Sequence, residues 1–209
     1  YNSIPNITKD VNSVFEYSNN GGESWKQLSI DTGSYELEAI NEEIQRLMVL
    51  NGDYDKAHPT EYYIQLSVNL SKFTSIVIIK HESYKVRFSS LHSIGPLLGF
   101  DTGDSIIGMG YNESHNIVDV MKVKLILVNT DIVMGRYLNG SASSAIYSFN
   151  PNVPPGYQIS EKPNPIIYYP ISRSNIHNIK VWLTDQNGDI INARGATITA
   201  DIHIRQVKN

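Results

Sequence analysis

An all-β sandwich is the fold class this sequence predicts, and three observations carry the prediction. Many short segments alternate apolar and polar residues, the period of two that lays one strand face on a core and leaves the other in water. Turn-forming clusters separate them, above all Asn19-Asn20-Gly21-Gly22 and Gln186-Asn187-Gly188-Asp189. Convincing helical periodicity occurs in one place, residues 36–50.

The elements follow in chain order. Asn2 to Asn12 is polar and contains Pro5, so it reads as extended or loop. Val14–Ser18 and Trp25–Ile30 are strand-like and form a hairpin across Asn19–Gly22. Between residues 36 and 50, Ile40, Ile44, Leu47 and Met48 share one helical face, and Glu42, Glu43 and Arg46 the other. Acidic Glu36 and Glu38 suit its positive N-terminal end, and Asn51-Gly52 suits its left-handed close. After a polar loop to Thr60, Tyr62, Ile64, Leu66 and Val68 alternate with polar residues. Ser75–Lys80 is apolar on both faces, which predicts a central strand. Tyr84, Val86 and Phe88 mark another, and Leu91–Leu98 a turn or brief helix. Asp101 to Asn116, Gly-rich and polar, reads as an exposed loop.

The C-terminal part continues the β pattern. Met121–Val128 and Ile146–Phe149 read as strands, and Pro151, Pro154 and Pro155 then force a bend and block ladder hydrogen bonds. Ile166–Tyr169 is a short strand ending at Pro170. Ile179, Val181 and Leu183 alternate with Lys180 and Trp182 before the Gln186–Asp189 turn. Ile198, Ala200, Ile202 and Ile204 alternate with Thr197, Thr199, Asp201, His203 and Arg205, as in a half-buried antiparallel strand. The whole predicts one domain over residues 1–209, and about eight main strands with one inserted helix favour a single jelly roll. The stretch from Tyr147 to Arg205 alone combines three strand patterns, a Pro-rich corner and a hairpin turn, with no recognisable catalytic group.

Composition narrows the function classes. The 209 residues contain no cysteine, which excludes disulfides and Cys-based zinc or redox sites. Net charge is −4 with 18% charged residues, and Lys and Arg do not cluster, so no nucleic-acid footprint is expected. No apolar run approaches the ~18 residues of a membrane span. Thirteen tyrosines supply contact area at low entropic cost, which suits interfaces, although tyrosine also favours strands.

Catalytic and ligand motifs are missing at the level of local spacing. Histidines 58, 81, 92, 115, 177 and 203 never approach metal-ligand spacing. Gly108-Met109-Gly110 has Glu113 where a dinucleotide loop needs its third glycine. Asp185, Asn187 and Asp189 superficially resemble a calcium loop, but the glycine is misplaced and Ala196 stands where the closing carboxylate belongs, so a turn is expected. No carboxylate pair is singled out. The expectation is a non-enzymatic protein without cofactor or metal. Asn6, Asn69, Asn112 and Asn139 head N-glycosylation sequons, relevant only in a secretory setting.

Several pieces, in order along nearly the whole chain, carry a family resemblance. They are Tyr1-Asn-Ser-Ile-Pro-Asn-Ile7, Gly33-Ser-Tyr-Glu-Leu-Glu-Ala-Ile40, Ile94-Gly-Pro-Leu-Leu-Gly-Phe100 and Tyr137-Leu-Asn-Gly140. More specific are Val153-Pro-Pro-Gly-Tyr157 and Val181 to Ile204, with its Asp185-Gln186-Asn187-Gly188 turn and Arg194-Gly195. Together they resemble the minor capsid, penton-like proteins of Polinton/Maverick elements and the related adintoviruses. The resemblance implies a single jelly roll that forms pentamers at the vertices of an icosahedral virion and contacts a major capsid protein. It also implies an apolar strand ahead of Tyr1. Asn192-Ala193-Arg194-Gly195-Ala196 departs from relatives, which often carry an aromatic residue and a Glu there.

Ring closure needs heterologous contacts that are large, weakly charged and rich in aromatics. The expected oligomer interface therefore takes in the rigid corner Pro151, Val153, Pro154, Pro155 and Tyr157, together with Tyr168, Tyr169 and Trp182. The alternative reading is a trimeric fibre-head or lectin-like jelly roll that binds a host receptor or glycan, with Tyr111 or Trp25 as the ligand platform.

Overall fold

A computed structural model describes residues 2–56, 58, 61–133, 136–138, 141–171 and 175–206. Among these residues are twelve strands and one α-helix. Ten strands form three antiparallel sheets and two form a ribbon, which is the all-β architecture expected. The contacts divide the chain into two compact units. One is Pro5–Lys122; the other joins Tyr1–Ile4 to Val123–Asn209.

The Pro5–Lys122 unit begins with the expected hairpin, β1 (Val14–Ser18) and β2 (Lys26–Ser29), with Gly21 and Gly22 at positive φ in its turn. Then come α1 (Leu37–Leu50), β3 (Ile64–Asn69), β4 (Thr74–Ile79), β5 (Lys85–Phe88), a 3-10 turn (Gly95–Leu98), β6 (Gly103–Ile107) and β7 (Gly110–Glu113). One sheet runs β2-β1-β5-β6 and the other β3-β4-β7, so β4 is central, as its two-sided apolarity predicts. The segment 101–116 corrects the sequence reading. It is not a loop but two strands, because the ladders offered by β5 and β4 override its weak intrinsic propensity. Gly108 and Met109 alone separate β6 from β7, and the chain passes from one sheet to the other at a corner where Gly110 takes a positive φ.

One apolar cluster fills this unit. Phe15, Tyr17, Val86 and Phe88 come from one sheet, Ile64, Leu66, Val77 and Ile79 from the other, and Ile40, Ile44 and Met48 from α1. Burying each such side chain is worth about 1.5–3 kcal/mol, so the helix stays by its apolar face. Its N-cap, Glu36, makes no side-chain capping bond. The helix also protects a sheet edge, since Asn41 Oδ1 accepts the Leu66 N–H of edge strand β3 at 2.7 Å. Gly52 takes the left-handed conformation that ends the helix, while Asn51 remains right-handed.

The second unit contains β8 (Ile126–Thr130), β9 (Arg136–Leu138), β10 (Ser141–Ser143), β11 (Ala145–Phe149) and β12 (Val181–Thr184). The sheet order is β11-β8-β12, and β9 pairs with β10. The strand expected at Met121–Val128 starts later. The Gln186 side chain accepts the Lys124 N–H, and Asn150 donates to the Lys124 carbonyl, so the ladder begins at Ile126.

Two further strand readings are overturned here. Ile166–Tyr169 forms no ladder; Pro163, Pro165 and Pro170 around it cannot donate. The run from Thr197 to Arg205 is not a paired, half-buried strand either. After the Asp185–Asp189 turn, pairing stops at a Thr184–Ile190 bridge and an Ile191 N–H to Leu183 carbonyl bond. Arg194 and Gly195, both at positive φ, then turn the chain away from β12. Ile198 is left 55% exposed and Ile204 45%.

Candidate interaction surface

Asn2 builds the Pro-rich corner of the second unit as much as the prolines do. The Asn2 N–H donates to the Tyr157 carbonyl at 2.6 Å, the Gly156 N–H donates back to the Asn2 carbonyl, and Asn2 Nδ2 donates to the Val153 carbonyl at 2.7 Å. Ser3 Oγ reaches the Ala193 carbonyl at 2.6 Å. Pro151 is buried and Val153 and Pro155 half-buried, while Pro154 and Tyr157 are exposed. With three local prolines restricting the backbone and Asn2 stapling it, the corner's shape is set before any partner arrives.

Tyr168 and Tyr169 lie elsewhere, on a cavity of about 1520 Å³ that also takes in Val181 and Leu183 of β12 and Ile198, Ile202 and Ile204. Trp182, between the two lining residues of β12, is half-buried with the Lys180 ammonium 5.5 Å from its ring. The eight expected interface residues thus divide into the Asn2-stapled corner, two cavity-lining tyrosines, and Trp182, which is not among the cavity residues.

A cluster at this cavity was not anticipated. Tyr168 Oη lies 2.6 Å from His203 Nδ1, and the Arg205 guanidinium stacks 3.8 Å from the Tyr168 ring. His203, on the polar side of the alternating run, is exposed but hydrogen-bonded. The i, i+2 spacing of His203 and Arg205 does place both on one strand face, but the tyrosine opposite lies more than thirty residues earlier. The buried Thr130 hydroxyl, also among the cavity residues, makes no hydrogen bond among the described residues.

In the Pro5–Lys122 unit, the two alternative platform residues differ sharply. Tyr111, on edge strand β7, is 81% exposed. Trp25 is already occupied by the Arg87 guanidinium, 4.2 Å from its ring. Beneath that pair, Glu16 is 2% exposed and accepts from Gln27 (3.1 Å), Arg87 (3.3 Å), Ser89 (2.8 Å) and the Ser90 N–H (3.0 Å). Burial pushes the Glu16 carboxyl up, but these donors and the Arg87 charge outweigh it and leave it below its ordinary value.

A second buried carboxylate, Asp53, binds Lys26 Nζ at 2.6 Å, Tyr17 Oη at 2.5 Å and Asn19 Nδ2 at 2.7 Å. Burial again raises the carboxyl and the donors, Lys26 first, lower it further. Burial and the facing carboxylate push the Tyr17 hydroxyl up, and burial pushes Tyr84 up to about 12. Both carboxylates are saturated with internal donors, so they serve as structural anchors of the β1–β2 hairpin.

The sequons are also absorbed by the fold. Asn6 is buried, and its amide donates to the Tyr35 and Val120 carbonyls. Asn69 donates to Glu113, and Asn112 to the Gly108 and Val77 carbonyls. A glycan at any of these would displace internal hydrogen bonds. Asn139 lies outside the described residues, as do Tyr1 and Gly140 of the family-like pieces.

The Asp185 carboxylate closes its turn by accepting the Asn187 and Asp189 N–H groups at 2.8 and 3.0 Å. Among the described residues no group of three or more His, Asp or Glu is placed to hold a metal, and no helix is long and apolar enough to cross a membrane. No family model, curated protein or solved structure matches this chain.

Proposed function

We propose that this chain is a structural virion protein: a penton-like capsid vertex subunit that closes into a homopentameric ring and contacts a major capsid protein. It acts by contact and not by turnover, with no cofactor and no nucleic-acid specificity. Such a subunit is a single jelly roll whose loops meet neighbouring subunits. The observation that carries it is the apolar surface of the Val123–Asn209 unit. Tyr157, Ile166, Ile167, Ile198 and Ile204 are all exposed, around a preset corner and an open cavity. Exposed apolar side chains gathered along one cavity, as Ile166, Ile167, Ile198 and Ile204 are, suit an interaction site. The resemblance of the Val153–Tyr157 and Val181–Ile204 segments to penton-like capsid proteins supplies the specific form of the assembly.

Native mass spectrometry and negative-stain imaging of the purified chain test this. Fivefold rings are expected, and replacing Tyr157 and Tyr168 by Ser should lower the ring population at least about tenfold, since exposed aromatics dominate interface energetics. A chain that stays monomeric at tens of micromolar, or assembles with another symmetry, overturns it. One observation favours the second reading, a trimeric receptor- or glycan-binding head: the exposed ring of Tyr111. Stable trimers with glycan affinity lost in Tyr111→Ala would support that reading instead.

A further inference from the structure

Residues 197–206, Thr-Ile-Thr-Ala-Asp-Ile-His-Ile-Arg-Gln, have the composition and alternation of a strand, yet none of them makes a backbone hydrogen bond among the described residues. They contain no proline or glycine and are rich in β-branched residues, so each residue can offer both an N–H and a C=O to a ladder. Unpaired segments of this composition, with their backbone groups open, can take up a strand from another chain. What that strand should be is written in the charges. Asp201 and Arg205 stand two residues before and two residues after His203. Antiparallel pairing of the segment with its own copy, centred on His203, places Asp201 opposite Arg205 twice across the two-fold axis. The same register sets Ile202 opposite Ile204 on the other face, so the apolar surface along the cavity continues into the second copy. Asp201 has no hydrogen-bond or ion-pair partner within the described chain. Arg205 and His203 both meet Tyr168, so these two side chains share one side of the segment, the side to which the register assigns the Asp201–Arg205 pairs.

We propose that residues 200–206 of this run are a self-pairing strand, and that two copies of this chain join through it as an antiparallel two-stranded contact centred on His203. The contact is isologous, whereas ring closure is heterologous. It therefore goes beyond the vertex reading and does not depend on it: the strand contact links copies whether or not they belong to rings.

Charge exchange and crosslinking test it. In the full chain, D201R or R205D alone puts like charges opposite each other at both pairs. Each should raise the dissociation constant of the two-fold contact at least about tenfold by analytical ultracentrifugation. The double variant D201R/R205D restores opposite charges and should restore the contact, while circular dichroism stays unchanged for all three. Because the chain has no cysteine, H203C gives a unique reporter that should oxidise to a covalent dimer. T197C, which the register places far from its own copy, should not. Equal crosslinking of both cysteine variants, no rescue by the double variant, or a contact insensitive to either single change would each overturn the proposal. Rings that persist in D201R leave the vertex reading standing, and strand-linked pairs without rings leave only the strand contact standing.

Discussion

Asp53 and Glu16 sit in environments that their neighbours in sequence do not suggest. Each is a carboxylate inside a shell of donors drawn from several segments. Asp53 gathers Tyr17, Asn19 and Lys26, and Glu16 gathers Gln27, Arg87, Ser89 and Ser90. Both carboxyls are lowered in the folded chain from ordinary values of 3.8 and 4.5. A lowered folded value means the unfolded chain takes up protons first on acidification. Their contribution is therefore complete above those ordinary values and drains away as pH falls through the lowered ones. Urea unfolding at stepped pH should show stability falling below about pH 4.5, with a shallower fall in Asp53→Asn and in Glu16→Gln. At neutral pH, Asp53→Asn should cost about 1–3 kcal/mol, because Lys26 is partly exposed and solvent replaces some of what is lost. A variant as stable as the parent would refute the anchoring role. Tyr84 works in the opposite direction. Its raised value keeps the proton on the folded chain, so its contribution is present below its ordinary value of 10.0 and is lost as pH rises through about 12. None of these shells was visible in the sequence, because Glu16 and its Ser89 and Ser90 donors lie more than seventy positions apart and meet only when β1 pairs with β5.

At the scale of elements, period and turn chemistry located most strands, and failures follow one rule. The β1–β2 hairpin, α1, β3, β4, β5 and β12 were legible because their own residues carry the signal. Strands β6 and β7 were not, because their glycines and polar residues weaken local propensity and the ladder partner decides. Ile166–Tyr169 and 197–206 fail in the other direction: the alternation is there, but within the described chain the partner is not. Glycines at turns separate local from tertiary demands. Gly21 and Gly99 both have positive φ, at 75° and 81°. A Cβ on Gly21 meets nothing within 4 Å, whereas one on Gly99 would lie 2.2 Å from the Asn116 carbonyl oxygen. Gly21→Ala should therefore cost only the left-handed penalty, about 1–2 kcal/mol. Gly99→Ala should cost clearly more, because backbone must move. Thermal denaturation of the two variants ranks them, and equal losses would contradict the close approach at Gly99.

For the molecule as a whole, the two units differ in how completely they enclose apolar side chains. The Pro5–Lys122 unit has a continuous core drawn from both sheets and the helix. The Val123–Asn209 unit leaves a cavity and a row of isoleucines in solvent. A chain of residues 5–122 made alone should unfold in one cooperative transition, followed by near-ultraviolet circular dichroism in urea. Loss of near-ultraviolet signal with retained far-ultraviolet signal would show that its core does not pack alone. In the complete chain, a dye that fluoresces on apolar surface should bind, and binding should fall as the protein concentration rises and copies cover one another. Concentration-independent binding would argue against assembly through that surface.

Residue order alone settles the all-β class, the one helix, the absence of cysteine chemistry and the apolar, weakly charged character of the C-terminal part, since each depends on composition or on neighbours a few positions apart. It also offers candidates for contact, the Pro151–Tyr157 corner among them. Only the folded arrangement settles the saturation of Glu16 and Asp53, the stapling of that corner by Asn2 and the lack of a strand partner for 197–206 among the described residues. A strand's alternation states which side wants a core, but whether a distant segment arrives to cover it, or to complete its hydrogen bonds, is decided by long-range packing that no local pattern encodes.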